Sequence, residues 1–129
     1  LVNLGTPENP TTRDIRRFLR EFLGDRRVVD IPRALWWPIL NGVILPFRSA
    51  KLAVQYQSIW LAGGSPLLVN SLKQVEGLQA LFNQQSPNSV VVELGMTYGQ
   101  PSIAAGLKKL REQRVRKIVI LPLYPQYSA

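Results

Sequence analysis

Residues 89–123 read SVVVELGMTYGQPSIAAGLKKLREQRVRKIVILPL, and this segment decides the fold class. It begins with a β-branched apolar run, Ser89 to Leu94, which predicts a buried parallel strand. Ser102 is the predicted N-cap of an amphipathic helix, and Lys117 to Leu123 predicts a further strand. Strands that alternate with helices form a parallel sheet covered on both faces. The sequence therefore predicts an α/β fold.

The first strand and helix follow the same pattern. Leu1 to Leu4 is a short apolar run before Gly5-Thr6-Pro7, which predicts a buried strand and a turn. Thr11 is the predicted N-cap of a helix that ends near Gly24. Apolar residues at helical spacing predict its buried face: Ile15, Phe18, Leu19, Phe22 and Leu23. Four arginines lie off that face and indicate a solvated surface: Arg13, Arg16, Arg17 and Arg20.

Residues 25–66, DRRVVDIPRALWWPILNGVILPFRSAKLAVQYQSIWLAGGSP, form a long connection. Its prolines at 32, 38 and 46 predict that no continuous helix runs from Asp30 to Phe47, although Arg33–Trp37 and Ile39–Leu45 could form short helical turns. Helices are predicted at about Ser49–Trp60 and, beyond the connection, at Val69–Asn83. A connection of this length is typical of a lid, a binding loop or a lip. Large apolar residues beside arginines suit a flat apolar ligand with acidic edges, and they also suit a membrane surface.

Composition narrows the chemistry. The 129 residues include no cysteine and no histidine, which excludes disulfides, thiolate metal sites and histidine bases within them. The net charge of +8 fits a solvated basic surface, an acidic ligand or anionic lipid. No nucleic-acid module and no phosphate-binding glycine motif is present, so nucleic acid is not an expected partner. No apolar run reaches bilayer length and no signal peptide precedes the first strand.

The predicted sheet also locates a candidate site. Ligands of open parallel sheets bind at the carboxyl ends of the strands. Three segments follow predicted strands: Gly5-Thr6-Pro7, Met96-Thr97-Tyr98-Gly99 and Tyr124-Pro125-Gln126-Tyr127-Ser128. The chain lacks an initial Met and stops after a strand-like run, so we expect it to be a fragment of a longer protein.

The motifs of this sequence resemble those of the ferrochelatases. In the family's order they are LVNLGTP, FLxxFLGDRRVVD, LWWPxxNGVILPFRS, QYxxIW, GGSPL, GMTYGxPS and LPLYPQYS. Ferrochelatases insert ferrous iron into a porphyrin at the end of haem synthesis. The resemblance implies a three-layer, Rossmann-like (chelatase-like) domain with a parallel sheet, the first of two such domains. Residues 1–129 would then be a partial N-terminal domain, with a pocket-lip insertion at about 25–66.

The resemblance assigns porphyrin-binding roles to four positions in the first half of the chain. Arg48 matches the family's porphyrin-contacting arginine, and a guanidinium can hold a propionate through two hydrogen bonds. Tyr56 and Ser65 match hydroxyl donors, although a core position for Tyr56 and a helix N-cap role for Ser65 are open alternatives. Leu4 matches a position beside the porphyrin face. Coproporphyrin-using members tend to have a tyrosine there that can approach the iron. A leucine cannot ligate iron, so Leu4 implies protoporphyrin IX as the substrate.

Further positions are implied to line or rim the pocket. Tyr98 and Tyr124 resemble pocket-lining residues, and Tyr127 is a third candidate with core packing as its alternative. The residues that resemble the pocket lip are Trp36, Trp37, Ile44, Leu45 and Phe47. A lip of this composition would contact an anionic membrane, and ordinary packing is the alternative.

The resemblance places the catalytic histidine and glutamate after residue 129, so we expect no catalytic residue and no chelatase activity in this fragment alone. Ferrous iron is a substrate, no cofactor is required, and Ala129 stands where members with an iron-sulfur cluster have a cysteine, which disfavours a cluster. The expected location is the cytoplasm, with contact at the inner face of the membrane as an option. Two other functions stay open: a non-catalytic porphyrin- or membrane-binding module, and a different tetrapyrrole metal chelatase.

Overall fold

The computed structural model describes residues 1–124, which form two compact units. One unit contains Leu1–Gly5 together with the chain from Leu67 onward, and the other is Thr6–Pro66. Tyr127 and Ala129 lie outside the described residues, so their predicted roles stay predictions. The predicted insertion at about 25–66 falls within the Thr6–Pro66 unit.

The first unit contains both strands and two helices. Its elements are β1 (Val2–Thr6), α4 (Pro66–Gln85), β2 (Gly95–Gly99) and α5 (Ile103–Glu112). β1 and β2 form a two-stranded sheet. The Leu1 N–H donates to the Glu93 carbonyl and the Gly95 N–H donates to the Leu1 carbonyl. This slanted pattern is that of parallel strands, so the predicted α/β class with a parallel sheet is confirmed.

The predicted strand at Ser89–Leu94 is displaced in the structure. The strand begins at Gly95, and residues 89–94 have no regular secondary structure. Gln79 on α4 accounts for the difference, because its Nε2 donates to the Val90 carbonyl (2.9 Å) and its Oε1 accepts from the Val92 N–H (2.8 Å). These contacts occupy two backbone groups that a strand neighbour would otherwise bind.

The predicted strand at Lys117–Leu123 is also wrong. The segment pairs with β1 only through a parallel bridge of Pro122 with Val2, in which the Val2 N–H donates to the Leu121 carbonyl (2.9 Å) and the Leu123 N–H donates to the Val2 carbonyl (2.8 Å). The next β1 group on that side, the Leu4 N–H, donates to the Asn3 side chain instead. Pairing therefore stops after one residue.

The Thr6–Pro66 unit is helical around one apolar core. α1 (Thr12–Gly24) begins as predicted at Thr11, whose side chain accepts from the Asp14 N–H. A second helical stretch contains α2 (Arg33–Ile39), a π-turn (Leu40–Ile44) and α3 (Leu45–Ile59). The buried core cluster comes from both stretches: Ile15, Leu19, Leu40, Leu45 and Ala53.

The prolines interrupt the chain less than predicted: Asp30 to Pro32 are not helical, but the two predicted short helical turns are joined in one stretch that runs without a break from Arg33 to Ile59. Pro32 is the N-cap residue of α2, where a missing N–H costs little, and Pro46 is the second residue of α3, directly after the π-turn. A proline ring normally clashes with the carbonyl four residues earlier, and the wide π-turn before Pro46 relieves this crowding. Pro38 lies in the interior of α2.

Candidate functional site

Arg48 lies on α3 with its side chain exposed. Within the part of the chain that the structure describes, it forms no ion pair, whereas Arg17 contacts Glu8 at 2.6 Å. A guanidinium without a carboxylate partner keeps all its donors available to an acidic ligand. Arg48 therefore meets the basic requirement of its predicted role.

The π-turn determines which residues of α3 are buried. Its closing bond joins the Leu45 N–H to the Leu40 carbonyl, a step of five residues instead of four. The buried row consequently runs from Leu40 to Leu45 and then to Ser49 and Ala53 in steps of four. A regular α-helix would instead continue the row from Leu40 through Ile44 to Arg48. The extra residue thus keeps Arg48 out of the core.

Tyr56 lies two turns after Arg48 on the same helix, about 12 Å along its axis. Its ring is half-buried, packs against the core cluster and meets Trp60 edge to face, with the ring centroids 6.1 Å apart. Burial raises the pKa of the Tyr56 phenol above its ordinary value. The phenol therefore stays neutral at physiological pH and can donate a hydrogen bond. Its packing also fits the core alternative.

Ser65 is buried and directly precedes α4. It follows a tight turn in which Leu61 and Gly64 exchange two backbone hydrogen bonds of 2.9 and 3.1 Å. Gly64 has a φ of 125°, a left-handed conformation that favours glycine. This turn sets the position of Ser65, which occupies the N-cap position of α4. Both of its predicted roles, as a ligand donor and as a cap, remain predictions.

The five residues of the predicted pocket lip divide into two groups. Leu45 is completely buried in the core cluster, so it is a core residue and cannot belong to an exposed rim. Trp36 and Ile44 are partly buried against that cluster, and Trp36 Nε1 donates to the Leu23 carbonyl at 2.7 Å. Trp37 and Phe47 are 68% and 76% exposed. Of these five side chains, only Trp37 and Phe47 are exposed enough to contact another surface.

In the other unit, the end of β1 places Leu4 and Gly5 beside Tyr98 on β2. Leu4 is 38% exposed although both of its strand neighbours are buried. Gly5 has a φ of 124°, and a Cβ there would overlap the Tyr98 carbonyl oxygen. The backbone of β1 therefore lies too close to that of β2 at Gly5 to leave room for a side chain. The Tyr98 side chain is buried and Tyr124 is half-buried.

Sequence reasoning missed two groups of polar residues. Asn3 and Ser71 are buried and hydrogen-bonded to each other, with Nδ2 of Asn3 3.0 Å from Oγ of Ser71. Thr6 Oγ1 and Ser49 Oγ are also buried but have no hydrogen-bond partner among the described residues. A polar residue inside an otherwise apolar strand, as in LVNLG, is the one signal that could have identified Asn3. Ser49 had no such signal, because its burial depends on the π-turn.

The described residues supply no preformed metal site. Within residues 1–124, no group of three or more Asp, Glu, His or Cys side chains could hold an ion together. In the same range, no helix combines the length and apolar character needed to cross a bilayer.

Comparison with known proteins gives a consistent result. The ferrochelatase family matches residues 1–129. The chain is 56% identical over 128 residues to a ferrochelatase of Pectobacterium atrosepticum, covering 99% of this chain and 38% of that protein. It is 56% identical over 129 residues to a ferrochelatase of Vibrio cholerae, covering 100% of this chain and 38% of that protein. A ferrochelatase of Thioalkalivibrio sulfidiphilus is 54% identical over 128 residues, with 99% and 35% coverage. The chain thus spans less than two-fifths of the length of these relatives, and it belongs to the ferrochelatase family.

Proposed function

We propose that the whole protein inserts ferrous iron into protoporphyrin IX to form protohaem, the last step of haem biosynthesis. The observation that supports this best is Arg48, an exposed arginine without a carboxylate partner among residues 1–124, in a chain of the ferrochelatase family. A guanidinium binds a propionate carboxylate through two parallel hydrogen bonds. Arg48 would hold the edge of the macrocycle in this way.

The residues of this chain would bind and orient the porphyrin. Tyr56, as a neutral phenol on the same helix, can donate to a second acidic or carbonyl oxygen. Leu4 offers apolar contact to the macrocycle face and cannot ligate iron, which favours protoporphyrin over coproporphyrin. Ser65, Tyr98 and Tyr124 stay candidates for pocket lining. Removing two pyrrole protons requires bases, and these are expected after residue 129.

Iron insertion by the full-length protein tests this function directly. Turnover of protoporphyrin should exceed turnover of coproporphyrin. Faster coproporphyrin turnover would overturn the substrate assignment, and turnover of neither would contradict the activity. Porphyrin binding without turnover would favour the second candidate, a non-catalytic porphyrin-binding module.

The role of Arg48 has its own test. Loss of a charge-assisted hydrogen bond costs about 1.5–3 kcal/mol, less some screening at an exposed site, so Arg48→Ala should weaken porphyrin binding by roughly tenfold. Arg48→Lys should restore part of the affinity, because an ammonium lacks the planar fork. Arg16→Ala, an exposed arginine on α1, is the matched control. Equal affinities of Arg48→Ala and the wild type would exclude the propionate contact.

We also propose that the protein is cytoplasmic and contacts the inner face of the membrane peripherally. Trp37 and Phe47 support this, because exposed large apolar side chains are typical of interaction surfaces and tryptophan favours the membrane interface. Nearby arginines would add attraction to anionic lipid. No cofactor is proposed, and ferrous iron enters as a substrate.

A further inference from the structure

Asn3 is a buried residue of β1. Both polar atoms of its side-chain amide and its backbone carbonyl form hydrogen bonds. Its Nδ2 donates to Ser71 Oγ on α4 at 3.0 Å, and its Oδ1 accepts from the Leu4 N–H at 2.8 Å. Its backbone carbonyl accepts from Thr97 Oγ1 on β2 at 3.3 Å. Asn3 and Ser71 are 7% and 1% exposed. These contacts connect β1 to both a helix and the neighbouring strand.

The contact with Leu4 is unusual for a strand. Successive residues of a strand direct their backbone groups to opposite sides, so Leu4 points its N–H to the side on which Val2 pairs with the segment around Pro122. The Asn3 side chain takes this N–H instead. The backbone of Leu4 is therefore fixed by the preceding residue, immediately before the left-handed Gly5.

Ser71 completes the arrangement. A neutral amide can rotate about its side chain, and its orientation is determined only when both ends have partners. The Ser71 hydroxyl accepts from Nδ2, which directs Oδ1 toward the Leu4 N–H. Without the Ser71 hydroxyl, Oδ1 of Asn3 could still accept from the Leu4 N–H, but Nδ2 would lose the contact that sets the orientation of the amide.

We propose that Asn3 and Ser71 are a positioning pair that fixes Leu4, so that its exposed side chain presents a rigid apolar contact to the face of a tetrapyrrole. This inference rests on the proposed function. Leu4 is the exposed residue in a strand whose adjacent positions are buried. A flexible leucine would lose conformational entropy on binding, and a leucine held in place avoids that loss.

A matched control exists on the same helix. Gln79 lies on α4, as Ser71 does, and like Asn3 it has a side-chain amide that binds backbone groups. Its partners are Val90 and Val92, and it is distant in sequence from Leu4. In the full-length protein, Asn3→Ala and Gln79→Ala should both lower the denaturation midpoint. Only Asn3→Ala should also weaken protoporphyrin binding, by roughly tenfold for the loss of two hydrogen bonds. Ser71→Ala should cause a smaller loss, and Ser71→Thr, which keeps the hydroxyl, should recover it.

A double-mutant cycle tests whether Asn3 acts through Leu4. Leu4→Ala removes the side chain that Asn3 positions, so adding Asn3→Ala should cause little further loss of porphyrin affinity. Additive losses would overturn the proposal, because Asn3 would then affect binding independently of Leu4. Equal effects of Asn3→Ala and Gln79→Ala on affinity would overturn it as well, since both would then act through general stability.

Amide hydrogen exchange separates this proposal from the proposed function. Exchange of the Leu4 N–H should accelerate by roughly tenfold in Asn3→Ala and stay unchanged in Gln79→Ala. If the wild type binds no porphyrin, the function is wrong, whereas the exchange rates still decide whether Asn3 fixes Leu4. Unchanged exchange in Asn3→Ala would overturn the positioning role even if porphyrin binds.

Discussion

The two units of this chain are stabilised by different interactions. The Thr6–Pro66 unit packs its helices around an apolar cluster and buries the hydroxyls of Thr6 and Ser49, which have no hydrogen-bond partner among residues 1–124. The unit with the strands depends on parallel backbone pairing and on side-chain amides, Asn3 and Gln79, that bind backbone groups. An apolar core depends on how well side chains fill its volume, and it can contain an unpaired hydroxyl. Hydrogen bonds between side chains and the backbone depend on the exact position of the backbone groups. Substitutions should therefore affect the two units in different ways.

The largest effect is expected at Gly5. Gly5→Ala would force a Cβ into the Tyr98 carbonyl and place alanine at a φ of 124°, so it should lower the free energy of unfolding by about 3–5 kcal/mol. Chemical denaturation of the full-length protein measures this. Gly77→Ala is the control, because a Cβ there meets nothing within 4 Å and alanine favours helices by about 0.5–1 kcal/mol. Equal stability of the two variants would contradict the close approach of the strands.

Leu45 and Phe47 provide a comparison within the helical unit. Leu45 is completely buried and Phe47 is 76% exposed, although only Pro46 separates them in the sequence. Leu45→Ala should cost about 2–5 kcal/mol of stability, whereas Phe47→Ala should change it by less than about 0.5 kcal/mol. Phe47→Ser should instead weaken binding to anionic vesicles, measured by a reduced blue shift of tryptophan fluorescence. Vesicle binding that does not respond to Phe47→Ser would exclude the proposed membrane contact.

Two buried serines test the same contrast on a smaller scale. Ser49→Ala removes a hydroxyl that has no partner in the described chain, so stability should rise by up to about 1 kcal/mol. Ser71→Ala leaves the Asn3 amide with an unpaired donor, and stability should fall by about 1–2 kcal/mol. Thermal unfolding should therefore show a raised midpoint for Ser49→Ala and a lowered midpoint for Ser71→Ala, which would support the difference between the two units. A loss in Ser49→Ala would mean that its hydroxyl has a partner in solution.

The smallest effect is expected from pH at the start of α1. The hydrogen bond from Asn9 holds the pKa of Asp14 below its ordinary value, with help from Thr11 and the nearby arginines. A lowered folded-state pKa means that ionised Asp14 stabilises the fold above about pH 4. This contribution should disappear as the pH falls through the lowered value. Asp14→Asn should show a smaller fall in stability below pH 4 than the wild type, and parallel curves would contradict this role.

Local signals predicted the starts of α1 and α5. Thr11 and Ser102 were identified as caps from their residue type and the periodic pattern that follows, and both accept the expected backbone N–H. The first strand was predicted close to its observed position, but the two later strands could not be placed from local signals. The Val90 and Val92 backbone is bound by Gln79, a residue more than ten positions away, and nothing in the run VVVEL indicates this. β propensity records which residues fit a strand, but not whether their backbone groups are available.

The candidate site shows the same division. The exposure of Arg48 and Phe47 agrees with their prediction as surface contacts, and Trp37 shares it. The family resemblance of the surrounding segment assigns Leu45 to the pocket lip, and the structure buries it in the core. Its burial follows from a five-residue helical step, which proline rules do not predict. Asn3 and Ser71 are far apart in the sequence, and only the fold brings them together.

The π-turn has a consequence for how this family can vary in length. The buried row steps from Leu40 to Leu45 by five residues and then continues in steps of four. Deleting one residue between them, for example Val43, would turn the long step into an ordinary one and leave Ser49 and Ala53 facing the same core. The segment can therefore lose a single residue without turning the rest of the helix. Pro46 would then meet a regular helical turn, so loss of the residue should accompany replacement of that proline.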